Sequence, residues 1–516
     1  MSGDGKRGSY RAGFFFGFLS FLASVGLGFI STVITARLYG VKVIGEFALV
    51  WAPVAVMWTL SSIKEQQAMI REITQLQPRE PRVTQLFAAV FTFSFALTAG
   101  VAVLDAIASY FLFQGPLHQP DLLAPALVAI AGYTLIVNTG WNFESVLSAF
   151  VAGRKLFWVR LTENLGFIVL ATGIGLAWRS VWGLVIGTLG AAALALVQRV
   201  YFAHGFARFR LSRAEYRAGL DCLPELLRFG LKATPGQMAQ GISQQGGIWA
   251  IGMVAPVAVV GAYSRALVIP KSLQTASMKI TEVLFPTLVG RKSEGDGHGF
   301  DRALIDSIRY EVIGMLLFAA TIGGAAHTVL KIFGPGFDSA APALALLAVY
   351  PALASVTVTQ TQGLWAVNRP GLTSLIAIAR LVVTVALLVV LTPRMHMIGP
   401  ALALLGGFAV VVALSGLALR GHLERPLRAT WRRRERIALL VAYAAGFGAA
   451  HAVQGVATPV VAIPLALLAG GLAFALVLVV CGGVNERDRH RLAEAGAALR
   501  ARLGRGSGQP PLQAET

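Results

Sequence analysis

The stretch TARLYGVKVIGEFALVWAP, residues 35–53, follows one long apolar segment and leads directly into another. The first is too long for the apolar core of a signal peptide, and its end runs on into the second, so it reads as an uncleaved membrane helix. The same pattern extends over the whole chain. A bilayer crossing takes ~20 mainly apolar residues, because lipid offers no partner to a bare backbone. Such segments fall near 14–37, 44–66, 85–110, 121–150, 157–178, 182–204, 229–254, 257–289, 304–331, 340–366, 371–391, 397–420, 436–453 and 459–482. Only 13% of residues are charged, against ~25% in soluble domains, so no water-soluble core would hide this much apolar surface. The expectation is an all-α polytopic membrane protein with about 14 transmembrane helices.

Basic residues set the orientation, since those near helix ends resist translocation. Of the 44 Lys and Arg, 32 fall at the N-terminus, in the even-numbered gaps and in the C-terminal tail, and four (Lys42, Arg179, Lys331, Arg394) in the opposite gaps. Both termini are therefore expected on the cytoplasmic side. The net charge of +19 is then a matter of topology and of anionic inner-leaflet lipid rather than nucleic-acid binding. Eight basic residues remain at membrane depth: Arg37, Lys64, Lys232, Arg265, Lys271, Lys279, Arg309 and Arg380.

The chain also repeats itself. Ile44-Gly45-Glu46-Phe47 is matched by Val260-Gly261-Ala262-Tyr263 at an offset of 216, Ala124-Pro125-Ala126-Leu127 by Ala341-Pro342-Ala343-Leu344 at 217, and Arg154 by Arg369 at 215. Six crossings return the chain to the same side, so the copies are expected to be parallel about an axis normal to the membrane. The implied organisation is an N-terminal six-helix lobe (1–204), a basic cytoplasmic loop (205–228), a C-terminal six-helix lobe (229–420), two extra helices with a basic loop (421–482) and a cytoplasmic tail (483–516).

The opening stretch resembles the A-R-x-x-G-x-x-x-[FYI]-G-x-[FY] turn of the bacterial polysaccharide-biosynthesis (Wzx-like, O-antigen flippase) family, through Ala36, Arg37, Gly40, Ile44, Gly45 and Phe47. LRFGLKATPGQMAQGISQQ, VVGAYSRAL, ITEVLFPTL and FGPGF followed by APALALLA keep that family's order, so the resemblance spans roughly residues 10–420. It implies the multidrug/oligosaccharidyl-lipid/polysaccharide exporter fold, two six-helix lobes around a cavity that opens alternately to either side. It implies as substrate a polyprenyl-diphosphate-linked oligosaccharide moved across the bacterial cytoplasmic (inner) membrane for surface polysaccharide assembly. Membrane lipids, a polysaccharide polymerase and chain-length machinery are the implied partners.

Such a substrate needs a polar path for its sugars and diphosphate. Buried basic residues cost ~2.5–3.5 kcal/mol each, so they tend to face a cavity or a partner. Arg265, Lys64, Lys279, Lys232 and Lys271 are the substrate-binding candidates, on segments 2, 7 and 8, which the resemblance sets around the cavity. Arg265 and Lys279, fourteen residues apart, share a helix face, whereas Lys271 points elsewhere, toward Glu282. Snorkelling to the surface is the competing account of Lys232 and Lys279, and an ion pair that of Arg265. Arg37 is read as structural. Gln237, Gln240 and Gln244 fall within one arc of segment 7 and suit sugar hydroxyls or interhelical hydrogen bonds. Glu65, Asp105, Glu144, Glu163 and Glu282 are candidates for proton or sodium coupling, with static ion pairs as the alternative. Glu163 sits almost at the repeat position of Arg380.

Other chemistry finds little in the sequence. There is no GxxxxGK[ST] pattern for ATP, the eight histidines lack metal-ligand spacing, and Cys222 and Cys481 suggest no disulfide framework, so no cofactor is expected. The chain is expected not to be an enzyme, since a membrane polysaccharide polymerase or ligase would carry a long polar outer loop and these outer gaps are short. A peptidoglycan-precursor flippase and a small-molecule exporter of the same fold remain as alternatives. A pump for cationic drugs would want an acidic cavity rather than a basic one.

Overall fold

The computed structural model describes residues 10–207, 234–424, 432–456 and 458–484, with 217, 220, 221, 223 and 224, and the side chains of all these except 10–18, 20–22 and 276–283. Every regular element among them is helical. Nine are long and apolar enough to cross a membrane. Their outward faces carry apolar stripes at helical spacing, such as Val103, Leu104, Ile107 and Phe111, or Leu468, Leu472 and Leu476, all exposed. Apolar residues pointing outward along whole helices make sense only with lipid as the solvent.

Helix α1, Tyr10–Leu60, spans the first two apolar segments. Where the sequence suggested a connecting stretch, the chain breaks at one residue, Gly40, with φ 78° and ψ 168°. A residue with a Cβ holds that conformation only under strain, so α1 is two helical arms on a one-residue joint. The second arm stops at Leu60, before Lys64 and Glu65. Lys64 takes a left-handed conformation (φ 62°), and the Glu65 carboxylate accepts a hydrogen bond from the Ile63 backbone N–H at 2.7 Å. A separate helix α2, Glu65–Ile73, follows. Lys64 thus lies on a turn rather than on the helix face expected for it.

The remaining N-terminal elements are α3 (Pro81–Gln114), α4 (Leu123–Gly132), a π turn (Tyr133–Val137), α5 (Asn138–Ala149), α6 (Gly153–Ala177) and α7 (Val181–Ala203). They pack on one another and on α1. The C-terminal set is α8 (Thr234–Val254), α9 (Val257–Ser293), α10 (Gly297–Gly324), α11 (Ala326–Lys331), α12 (Ala341–Leu347), α13 (Tyr350–Ala366), α14 (Pro370–Met395) and α15 (Ile398–Leu419). Helix α1 packs on both α8 and α9 and joins the two sets. Helix α10 starts before its apolar segment because Asp296 caps it, accepting from the Gly299 N–H at 2.7 Å. That bond, with Arg291 beside it at 2.9 Å, holds the Asp296 carboxyl below the usual carboxylate range.

Two last helices, α16 (Arg433–Ala452) and α17 (Pro459–Val480), pack on α10. Gly446 and Gly470 let their backbones touch, since a Cβ on either would meet the other's carbonyl oxygen. Arg309 on α10 fastens them: its guanidinium meets Glu435 at 2.9 Å and donates to the Gly483 carbonyl at 3.0 Å, all buried.

Candidate functional site

The repeat landmark of the sequence turns out to be a contact. Helices α1 and α9 cross where Gly45 meets Gly261, close enough that a Cβ on Gly45 would strike the Val257 carbonyl oxygen and one on Gly261 the Val41 carbonyl oxygen. Both pairs, Val41 with Val257 and Gly45 with Gly261, are related by the offset of 216. Each half therefore presents the same small-residue notch to the other. Nearby, Arg37 donates through Nε to the Ile332 carbonyl at 2.7 Å, and Gly336, with φ 85°, brings its backbone against Val41. This end of the α1/α9 interface is closed.

Beyond the crossing the helices part and leave a cavity of about 210 Å³ between α1, α8 and α9. Its walls include Phe47 and Trp51 from α1, Gln245 and Ile248 from α8, and Arg265 and Lys271 from α9. The Phe47 and Trp51 rings stack at 5.6 Å. The Arg265 Nε is buried with no acceptor among the described residues. Among the described residues no carboxylate lines the cavity, so two cations share a mainly apolar space without a described counter-charge. Low-dielectric walls focus that field on the opening, and an anion is the ligand it would draw.

The sequence candidates divide among several places. Arg265 lines this cavity, and so does Lys271, which helical phase alone had turned away from Arg265. Lys64 sits thirteen residues past Trp51, ~20 Å along the helix direction, and is not among the residues lining this cavity. Lys232 lies outside the described residues, and the side chains of Lys279 and Glu282 are likewise not described. The glutamine stripe splits. Gln237 and Gln240 line a second cavity of about 120 Å³ between α8, α13, α14 and α15, and Gln244 lines neither cavity; Gln245, outside the stripe, lines the first.

That second cavity holds a residue the sequence reading had set aside. Arg380, 2% exposed, reaches into it among Thr357, Thr361 and Ser415. Trp365 stands at the rim, its indole N–H donating to the Thr373 hydroxyl at 3.2 Å.

The acidic candidates differ sharply in surroundings. Glu144 and Glu163 are both clamped by Arg199, which is 1% exposed, with bonds of 3.0 Å from Nε to Glu144 and 2.8 Å from Nη2 to Glu163. Arg160 closes the quartet by pairing with Glu144 and with Glu163 at 3.4 Å. Glu65 is fully buried, with one carboxylate oxygen lacking a partner, and Asp105 on α3 likewise has a buried oxygen without one. Among the described residues no cluster of His, Cys, Asp and Glu is arranged to hold a metal.

Against known proteins, a model of a family described as "Polysaccharide biosynthesis protein" matches residues 34–342. No curated protein matches the chain by sequence. Among solved structures, a lipid II flippase MurJ in an inward closed conformation is similar over 93% of this chain and 99% of its own, with a TM-score of 0.69 at 12% identity. An inward-facing multidrug resistance MATE family transporter of the MOP superfamily is similar over 79% of this chain and 94% of its own, with a TM-score of 0.62 at 16% identity. A MOP superfamily transporter from Pyrococcus furiosus, described as having a binding pocket of reverse polarity, covers 83% and 98%, with a TM-score of 0.55 at 14% identity. These likenesses establish a shared transporter fold.

Proposed function

The chain belongs to the polysaccharide biosynthesis protein family and has the multi-pass fold of MOP superfamily transporters, and we propose that it flips a polyprenyl-diphosphate-linked oligosaccharide across the bacterial cytoplasmic membrane by alternating access. The observation that carries this reading is the pair Arg265 and Lys271 in a cavity with no acid among the described residues. A diphosphate concentrates negative charge that hydrocarbon will not accept, and two cations unpaired among the described residues supply the countercharge. Phe47 and Trp51 offer apolar wall beside them. The polyprenyl tail has no need of the cavity and stays in lipid.

On this reading the protein crosses the membrane fourteen times as two parallel six-helix lobes plus α16 and α17, with both termini cytoplasmic. The Gly45/Gly261 crossing is then the outer closure. Opening outward means parting the two notches and the bond from Arg37 to Ile332, a few weak contacts at ~1 kcal/mol each. Energy comes from a proton or sodium gradient, with Glu65 and Asp105 the acidic groups to examine, because Glu144 and Glu163 are already neutralised by arginine. No enzymatic step is assigned, and a polymerase would take the product at the outer face. A lipid-linked peptidoglycan precursor carries the same diphosphate and would suit the same cations. An exporter of cationic drugs would not.

The test is depletion of the protein in its source cell, followed by assay of lipid-linked oligosaccharide and of its accessibility from outside. Repeat units trapped on the inner side support the flippase. Units trapped outside, or normal polymer display with Arg265 and Lys271 both replaced by Ala, would overturn it.

A further inference from the structure

Arg380 is a cation that the fold buries and does not neutralise. Among the described residues its Nε and Nη2 are buried without a hydrogen-bond acceptor, and no carboxylate lines the cavity beside it. What the protein provides is an aromatic face: the guanidinium carbon sits 3.6 Å from the centroid of Phe408, whose ring is met edge-on by Tyr350 at 5.0 Å. A cation–π contact steadies a guanidinium and sets its plane, but leaves its N–H groups unsatisfied. A planar fork of donors held flat in a pocket is the geometry that receives a carboxylate or phosphate edge-on.

The repeat shows that this lack of a counter-charge is a departure from the other half. At the register of 216–217 that relates the two lobes, Glu163 corresponds to Arg380, Glu144 to Gln360 and Arg199 to Ser415. The first half closes its charges on themselves. The second keeps one charge of opposite sign, replaces the rest by neutral groups, and leaves a space of about 120 Å³ next to it. That is room for several waters at ~30 Å³ each, or for one carboxylate-bearing group, and too little for a disaccharide.

The rest of the lining fits a sugar better than a bare ion. Gln237, Gln240, Thr357 and Thr361 bring amides and hydroxyls, and Trp365 at the rim, packed against Phe285, gives a face for pyranose C–H groups. Arg380 lies ten residues into α14, ~15 Å from the helix start that shares the rim with Trp365.

We propose that this cavity is an anion subsite, anchored by Arg380, that receives the carboxylate of an acidic sugar. The anion site rests on the geometry alone, and the assignment of that sugar to the transported headgroup rests on the flippase reading above. A free inorganic anion is the rival source of the same chemistry.

The experiment uses full-length protein purified in detergent, with Tm followed at constant ionic strength in glucuronate, glucose, chloride or phosphate. Glucuronate should raise Tm by ~3 °C or more at saturation, as expected for a ligand that binds only the folded state. Glucose should not. R380K should keep a weaker response, whereas R380Q should lose it. T361W, which leaves the guanidinium in place and fills the space before it, should lose it as well. Chloride or phosphate acting as strongly as glucuronate, through Arg380, would uphold the anion site and overturn the acidic-sugar assignment. A glucuronate response unchanged in both R380Q and T361W, or none in the wild-type protein, would overturn the site itself. Failure of the flippase reading would appear separately, in the location of lipid-linked oligosaccharide after depletion.

Discussion

Two corresponding regions of the chain, around Glu163 and around Arg380, have been put to opposite uses. In the first half Arg199 is buried between Glu144 and Glu163, with Arg160 at the edge, and the four charges cancel. In the second half Arg380 is equally buried and, among the described residues, answered only by an aromatic ring. A buried cation with two carboxylates ties helices together; one without them waits for something from outside. Burial alone therefore does not say whether a charge is structural or functional. Its partners do.

Removing the two arginines separates these roles. R199M leaves Glu144 and Glu163 to share Arg160 alone among α5, α6 and α7, a loss of up to the ~3–5 kcal/mol typical of breaking a buried pair. A large fall in Tm or in the amount of folded protein is expected. R380M removes an unanswered cation and should shift Tm little or raise it. Equal losses in the two variants would mean that Arg380 is a structural strut too.

Where the halves remain alike, substitutions should act alike. G45A and G261A each press a Cβ into the carbonyl of the opposite notch, an overpacking of ~1–3 kcal/mol against the closed crossing. Cysteine pairs across α1 and α9 should crosslink less in either variant, by similar amounts. A strong effect from one glycine alone would break the symmetry claimed for the crossing.

At the central cavity, R265A should slow transport by about tenfold, ~1.4 kcal/mol, without lowering protein level. K271A should act in the same direction, and flux of an acidic repeat unit measured in both would show whether the two cations work on one group. The smallest effect is expected outside the membrane, at Asp296. Its folded-state pKa is depressed by the Gly299 N–H and Arg291, so its contribution is present above the usual carboxylate range and is lost as pH falls through that depressed value. D296N should flatten the acid limb of the Tm profile slightly and leave neutral pH almost untouched.

Hydropathy made the membrane segments legible, because lipid is a uniform solvent and length alone decides a crossing. The repeat was legible too, since the notches at Gly45 and Gly261 must keep their register to meet. What remained hidden were partnerships between distant residues. Arg199 sits a turn inside the end of α7, facing two acids from other helices that no local spacing ties to it. Helical phase turned Lys271 away from Arg265, but a cavity walled by three helices takes side chains from more than one face of α9. Of the three glutamines close in phase, Gln237 and Gln240 serve the second cavity, while Gln245, on another face of α8, serves the first, because α8 packs against both α1 and α14. The Glu163/Arg380 exchange was visible as a mismatch, and only the missing counter-charge gave it meaning.

The joint at Gly40 has a practical side. Two long helices turn there on one residue, and α8 and α9 are separated by only Ala255 and Pro256, so at this end neither of these turns offers any length of loop. A protease has nothing to cut and an antibody nothing to grip, and an inserted epitope would pry the arms apart. Sidedness at this end is therefore best read with reagents the size of a maleimide on single engineered cysteines.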